Sequence, residues 1–273
     1  MRLHISGLQG SAAALLLAGL PEYGTTTLFI ANDPEEAGYL YNDFMQIRND
    51  NRVLFFPSGY KRALKYGQTD PAADILRTDT INRLQQADES LIVVTYPEAL
   101  CEKVASNEEL HRNTLRLAKG EKCDLASVAD FLTGYGFERV DYVYEPGQFA
   151  VRGSIVDVYS FSSDLPYRID TFGDEIESIR AFNIDTQLSQ DPVNEIFIIP
   201  DLQAGSTSGI SLLQFIDKNT LLAVKDLAWV LERMHSVATD TISQQLLLTE
   251  EGDLHAKEKL IDTDDFSRYV LDF

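Results

Sequence analysis

Ser6-Gly7-Leu8-Gln9-Gly10-Ser11-Ala12-Ala13-Ala14 is the stretch on which the fold of the first hundred or so residues turns. A phosphate-binding loop reads G-x-x-x-x-G-K-[ST] and sits between a strand and a helix. Its backbone N–H groups cradle phosphates, its Lys reaches the β/γ-phosphates, and its Ser/Thr holds Mg²⁺. Here Arg2-Leu3-His4-Ile5 supplies a candidate strand and Ala12 to Gly19 a candidate helix. Gly7, Gly10 and Ser11 hold loop positions, but Ala12-Ala13-Ala14 stand where Gly-Lys-Thr is needed. Alanine offers neither an ammonium to a phosphate nor a hydroxyl to a metal. Gly7, Gly10, Ser11, Ala13 and Ala14 therefore read as a degenerate nucleotide loop that does not bind ATP. The same residues also read as a plain Gly-rich turn ahead of an Ala/Leu helix.

Outward from the loop, strands and helices alternate. Thr26 to Ala31 is rich in β-formers, and Asn32-Asp33-Pro34 closes it with a turn and a helix start. Glu35 to Ile47 carries Leu40, Phe44 and Ile47 at helical spacing. Arg52 to Phe56 gives a further strand, stopped by Pro57. Asp70 caps a helix with Pro71 at its first position, and Ile75, Ile81 and Leu84 lie along one side. Leu91 to Thr95 is a continuous apolar run of the kind a parallel sheet buries on both faces. This alternation predicts an α/β layer fold, a degenerate P-loop (RecA-like) domain over residues 1–116.

Composition narrows the function classes. The chain has 273 residues, with Lys+Arg 23 against Asp+Glu 43 and a formal net charge of −20. Phosphate backbones are held by Lys and Arg, so the segment does not read as a nucleic-acid binder by itself. Cys101 and Cys123 form no C-x-x-C pattern and are expected as free thiols in a reducing cytoplasm. Met1-Arg2 and the apolar Ala12 to Leu20 imitate a signal peptide, but no cleavage site precedes Pro21-Glu22. No run approaches the roughly 18 apolar residues that span a membrane. His4, His111, His235 and His255 show no zinc-ligand spacing. Asp33 fits an Asp-Pro cap better than a Mg²⁺ ligand, and Val94 is followed by Thr95-Tyr96-Pro97 rather than by an acidic pair. No catalytic residue, metal or cofactor is expected.

The pattern changes near Leu117. Asp124 reads as an N-cap, with Leu125, Val128 and Leu132 on one helix face and Gly134 past its end. A β-meander follows, over Arg139 to Tyr144, Ser154 to Phe161, Tyr167 to Phe172 and Ile176 to Ile184, punctuated by Gly147, Gly153, Asp164-Leu165-Pro166 and Gly173-Asp174. Three or four strands with one helix make a small α+β domain, assigned to residues 117–200. Residues 201–273 return to helical patterning around Trp229 and Leu246 to Leu248.

Three runs in this region are specific: Gly136-Phe137-Glu138-Arg139-Val140-Asp141, Glu145 to Val158, and Leu165 to Arg180. Their Arg-Gly-(apolar)-Asp-Val core and their Arg-Ile-Asp-x-Phe-Gly-Asp-Glu-Ile-Glu-Ser-Ile-Arg string resemble the UvrA-binding domain shared by UvrB and the transcription-repair coupling factor, Mfd. The flanks favour the second relative. Ala13 replaces the P-loop lysine, too little sequence separates Gly10 from Thr95 for UvrB's damage-probing hairpin, and Phe55-Phe56-Pro57-Ser58 is similar to the coupling factor's first domain. The resemblance implies the amino-terminal UvrB-like module of that family, with the α+β UvrA-binding domain inserted in the degenerate one and 201–273 as a truncated remainder. It implies a non-catalytic recruitment role: binding UvrA to bring nucleotide excision repair to lesions where RNA polymerase has stalled. In the family's intact protein, an ATP-dependent DNA translocase, RNA polymerase, DNA and ATP are bound by regions absent here. The other readings are a UvrB-like ATP-dependent damage-verification fragment and an autoinhibitory domain.

In Arg168-Ile169-Asp170-Thr171-Phe172 a strand puts Arg168, Asp170 and Phe172 on one face and Ile169 and Thr171 on the other. An arginine and an aromatic so placed make a compact hot-spot pair. Residues 116–200 carry 7 basic and 15 acidic residues, so arginines kept on one surface stand out. Arg152, read as the start of the preceding strand, reaches the same face across the hairpin. The resemblance implies that Arg152, Arg168 and Phe172 contact UvrA, with Arg180 a secondary candidate. The plain alternative pairs Arg168 with Asp170 or a cross-strand carboxylate and puts Phe172 in the core. The docking reading asks for guanidinium groups that converge and are not tied up internally, and for an Arg168→Glu variant that loses UvrA while melting within a few degrees of the parent.

Overall fold

The computed structural model describes residues 3–19, 26–59, 71–85, 90–161, 163, 165–199, 209–248 and 260–273. Arg2, Pro21, Glu22, Asp70 and Asp164 lie outside the described residues. The chain divides into two units, Met1–Val104 with Ser206–Phe273, and Ala105–Gly205.

In the first unit, β1 (Thr27–Ile30), β2 (Val53–Phe55), β3 (Ile92–Thr95) and β12 (Leu221–Val224) form a parallel sheet in the order β12-β1-β3-β2. β1 and β3 are buried along their whole length, as expected for inner strands covered on both faces. Helices α1 (Ala12–Ala18), α2 (Pro34–Arg48), α3 (Pro71–Gln85), α4 (Pro97–Leu100), α7 (Leu212–Phe215), α8 (Leu227–Leu248) and α9 (Thr263–Val270) complete the unit. Asp33 caps α2 by accepting the Glu36 N–H at 2.8 Å, with Pro34 in the first turn. Leu40 and Phe44 are buried, and the Phe44 ring meets Phe29 edge-on at 6.2 Å. Ile47, at the last turn, is exposed.

Two features differ from the sequence pattern. Residues 3–5 form no strand, and residues 3–9 are exposed. A lone segment of this length has no ladder to join and gains no inter-strand hydrogen bonds. Gly7 and Gly10, both at positive φ, lead directly into α1. Helix α3 starts at Pro71 as expected, but its buried side is polar: Asp74, Arg77, Thr78 and Thr80 accompany Ala73 and Ile81. Arg77 is fully buried. It pairs with Glu102 at 3.1 Å, donates to the Pro57 carbonyl at 2.7 Å and lies 4.2 Å over the Phe56 ring. Glu102 also accepts from the Ser58 hydroxyl and from the Gly59 N–H at 3.0 Å. A buried ion pair is tolerated where its remaining hydrogen-bonding groups are met, and apolar periodicity does not reveal it.

In the second unit, α5 (Asn107–Asn113) and β4 (Leu115–Ala118) precede α6 (Leu125–Gly134), whose N-cap Asp124 accepts from Ala126 and Ser127. The helix runs through Gly134, and the left-handed glycine is Gly136. β5 (Glu138–Arg139), β6 (Gln148–Arg152), β7 (Ile155–Val158), β8 (Tyr167–Phe172), β9 (Glu175–Phe182) and β10 (Ser189–Val193) form a sheet in the order β10-β9-β8-β7-β6-β5. All neighbours are antiparallel except β5 and β6. β11 (Glu195–Ile198) pairs with β4. The sheet therefore has six strands rather than three or four. Residues 140–144, expected as a strand, lie outside its strands, and Arg152 ends β6 rather than starting β7.

One face of this sheet buries Phe149, Val156, Val158, Ile169, Ile176 and Ile179 with Val128 and Leu132 of α6. Ile176 and Ile179 are an odd number of residues apart, and a register shift near Glu177 returns both to that face. The opposite face holds a smaller cluster of Val143, Ala150, Tyr159 and Phe182. Cys123 is buried in this unit and Cys101 in the first. Burial pushes the Cys101 thiol up to about 12 and raises that of Cys123. Among the described residues no helix is long and apolar enough to cross a membrane.

Candidate docking site

Open α/β sheets bind ligands beyond the carboxyl ends of their strands. In the first unit several of the protein's own groups bond to one another in that region. Glu36 accepts the Asn32 N–H at 2.9 Å and is paired with Lys225. Trp229 Nε1 donates to the Asn32 carbonyl at 3.2 Å, and Arg233 Nε donates to Glu98 at 2.9 Å. The first turn of α2 carries Glu35 and Glu36, which repel an anion at a helix start. The Gly7–Ala14 loop has no strand of the sheet leading into it. Ser11 is exposed, Ala13 half-buried and Ala14 buried.

The polar face of the second unit's sheet is a different environment. Cross-strand register lines up Ala150, Asp157, Arg168 and Arg180 in one row, and Arg152, Ile155, Asp170 and Ser178 in the next. Two tight hairpins set this register. Each two-residue connection begins with a glycine at positive φ, Gly153 (φ 62) and Gly173 (φ 67), where other residues are strained.

Asp157 is the centre of the first row. It is 1% exposed, and the small Ala150 opposite leaves it room. Arg168 grips it with two bonds, Nε to Oδ1 at 2.7 Å and a terminal N–H to Oδ2 at 2.8 Å. Arg152 bonds the same Oδ2 and donates to the Asp141 carbonyl at 2.8 Å. Each guanidinium also lies over a ring, Arg168 over Phe182 at 4.6 Å and Arg152 over Tyr142 at 5.1 Å. The Asp157 carboxylate raises the Arg168 pKa further. The trio carries one net positive charge, and the arginine side chains are 36% and 23% exposed.

The structure thus brings Arg152 and Arg168 together, but on an internal carboxylate. The condition that both guanidinium groups be internally free is not met. Arg168 pairs with cross-strand Asp157, not with Asp170, which accepts from Ser154 at 3.2 Å. Arg168→Glu would set two carboxylates side by side in a buried position, so its melt is expected to fall and the variant does not isolate docking. Phe172 is not core: it is 81% exposed at the tip of the β8–β9 hairpin. Arg180 is exposed and directly opposite Arg168. Among the described residues no carboxylate forms an ion pair with it. A like-charge pair directly across strands is unfavourable, and here the Arg168 charge is met by Asp157. Asp157 was the residue sequence reasoning missed, although a lone carboxylate among Ile155, Val156 and Val158 was a visible signal.

The UvrB interaction domain family matches residues 115–203. The chain is 31% identical over 196 residues to the transcription-repair-coupling factor of Escherichia coli, 30% over 198 residues to that of Bacillus subtilis and 32% over 208 residues to that of Myxococcus xanthus. The chain is related to the amino-terminal module of the transcription-repair coupling factors. These alignments cover 71%, 72% and 73% of this chain and 17% of each relative. The chain therefore spans about a sixth of the length of the curated relatives it matches. The Asp157 cluster, Phe172 and Arg180 all lie inside the UvrB interaction domain.

Proposed function

We propose that this chain is a non-catalytic recruitment module whose UvrB interaction domain docks UvrA through the polar face of β8 and β9. The observation that carries the reading is Phe172, a large apolar side chain held out at 81% exposure on the same face of β8 as Arg168 in a strongly acidic domain. Burial of an aromatic with neighbouring arginines is how interfaces concentrate their energy. Asp157 then has a purpose in the bound state: it fixes both guanidinium groups, so little side-chain freedom is lost on binding. Arg180 supplies the uncommitted charge and Phe172 the apolar contact.

The first unit serves as a pedestal in this account, and the degenerate loop as a relic. The strand ends support this, since the cations there, Lys225 and Arg233, are already paired with Glu36 and Glu98. In the longer protein, RNA polymerase, DNA and ATP would engage other regions, and UvrA docking would hand a stalled-polymerase site to excision repair. A cytoplasmic setting suits two buried reduced thiols.

Titration of UvrA into the purified chain tests the assignment. Phe172→Ala and Arg180→Glu remove exposed groups and should leave the thermal melt unchanged. Each is expected to weaken UvrA binding by at least about 30-fold, the ratio for a hot-spot loss of about 2 kcal/mol. Affinity equal to the parent in both variants would refute the docking face.

A further inference from the structure

We propose that the docking surface continues past Arg152 into a cleft that receives a carboxylate-bearing side chain of UvrA. The proposal rests on the docking reading above and names a second point of contact within it. The cleft has a volume of about 780 Å³ and is lined by Arg139, Val140, Asp141, Tyr142, Val151 and Arg152.

Its shape follows from where strand pairing stops. β5 pairs with β6 only at Glu138 and Arg139, and the Val140 N–H makes the last contact, to the Phe149 carbonyl at 2.9 Å. Beyond it the chain leaves the sheet, while β6 runs on to Val151 and Arg152. Arg152 catches the departing segment through the Asp141 carbonyl, at 2.8 Å, and through the Tyr142 ring. The cleft is therefore braced by the side chain that also joins it to Asp157 and Arg168.

Its chemistry selects an acidic group. Two arginines, Arg139 and Arg152, and one acid, Asp141, line it, in a domain where acids outnumber bases 15 to 7 over residues 116–200. Arg139 is exposed, and among the described residues no carboxylate forms an ion pair with it. Arg152 is held by Asp157, so an arriving carboxylate meets Arg139 first. Val140 and Val151 add apolar surface to the lining. Tyr142, 54% exposed and already stacked on Arg152, can be covered on binding with little ordering cost.

The test uses the whole chain and purified UvrA, with affinity measured at two salt concentrations. Arg139→Glu is expected to weaken binding at least tenfold and to flatten its salt dependence. Arg139→Lys should keep most of the affinity, and Tyr142→Ala should lose about fivefold with an unchanged melt. If Arg139→Glu and Tyr142→Ala bind like the parent while Phe172→Ala is impaired, the cleft is overturned and the docking face stands. If Arg139→Glu is impaired while Phe172→Ala binds like the parent, the cleft stands and the β8 face falls. Parental affinity in all three variants would end both.

Discussion

Asp157 takes three guanidinium hydrogen bonds from two strands while almost fully buried. Removing one partner of such a cluster leaves charge without compensation, which costs about 3–5 kcal/mol. Asp157→Asn keeps the shape but turns an amide N–H toward the guanidinium groups. It is expected to destabilise the second unit by about that amount in denaturant titration. Arg152→Ala leaves Asp157 still gripped bidentately by Arg168 and should cost about 1–2 kcal/mol, the loss of a charged hydrogen bond at a half-exposed position. A reversed order would mean that Asp157 does not organise the pair. The same reasoning shifts the weight of the docking assignment. Arg152 and Arg168 carry internal contacts, whereas Phe172 is exposed and among the described residues no carboxylate forms an ion pair with Arg180.

The alternation of β8 separates stability from recognition. Ile169 lies in the sheet's main core and Phe172 points away from it. Ile169→Ala should therefore lose about 2–5 kcal/mol of stability. Phe172→Ala should stay within about 0.5 kcal/mol of the parent; chemical denaturation of the two variants checks both, and equal losses would contradict the register. This alternation was legible in Arg168-Ile169-Asp170-Thr171-Phe172, as were the strand–helix alternation of the first unit and the Asp33 and Asp124 caps, because each is set by neighbours a few residues apart. What local pattern missed has long-range causes. β12 enters the parallel sheet beside β1 from far along the chain. Residues 140–144 alternate like a strand, yet the segment departs after Val140 and is caught by Arg152. The buried side of α3 is polar because Arg77 is matched by Glu102 from another element. The role of Asp157 depends on arginines from β6 and β8 meeting over β7, which register alone decides.

At the scale of the whole molecule, two units with separate cores share one chain, and the features that point to a partner gather in one of them. The first unit has its strand ends occupied by Glu36, Trp229 and the Glu98–Arg233 pair. The second carries a family-defined interaction domain with an exposed aromatic, clustered arginines and an acidic surround. The matched stretch is only 17% of each of the three curated relatives. The central claim is that UvrA covers the β8–β9 hairpin, and hydroxyl-radical footprinting of side chains tests it most directly. Adding saturating UvrA should cut oxidation of Phe172 several-fold while Tyr39, 74% exposed in the first unit, is oxidised as before. Unchanged oxidation of Phe172 in a complex that has demonstrably formed would contradict the account.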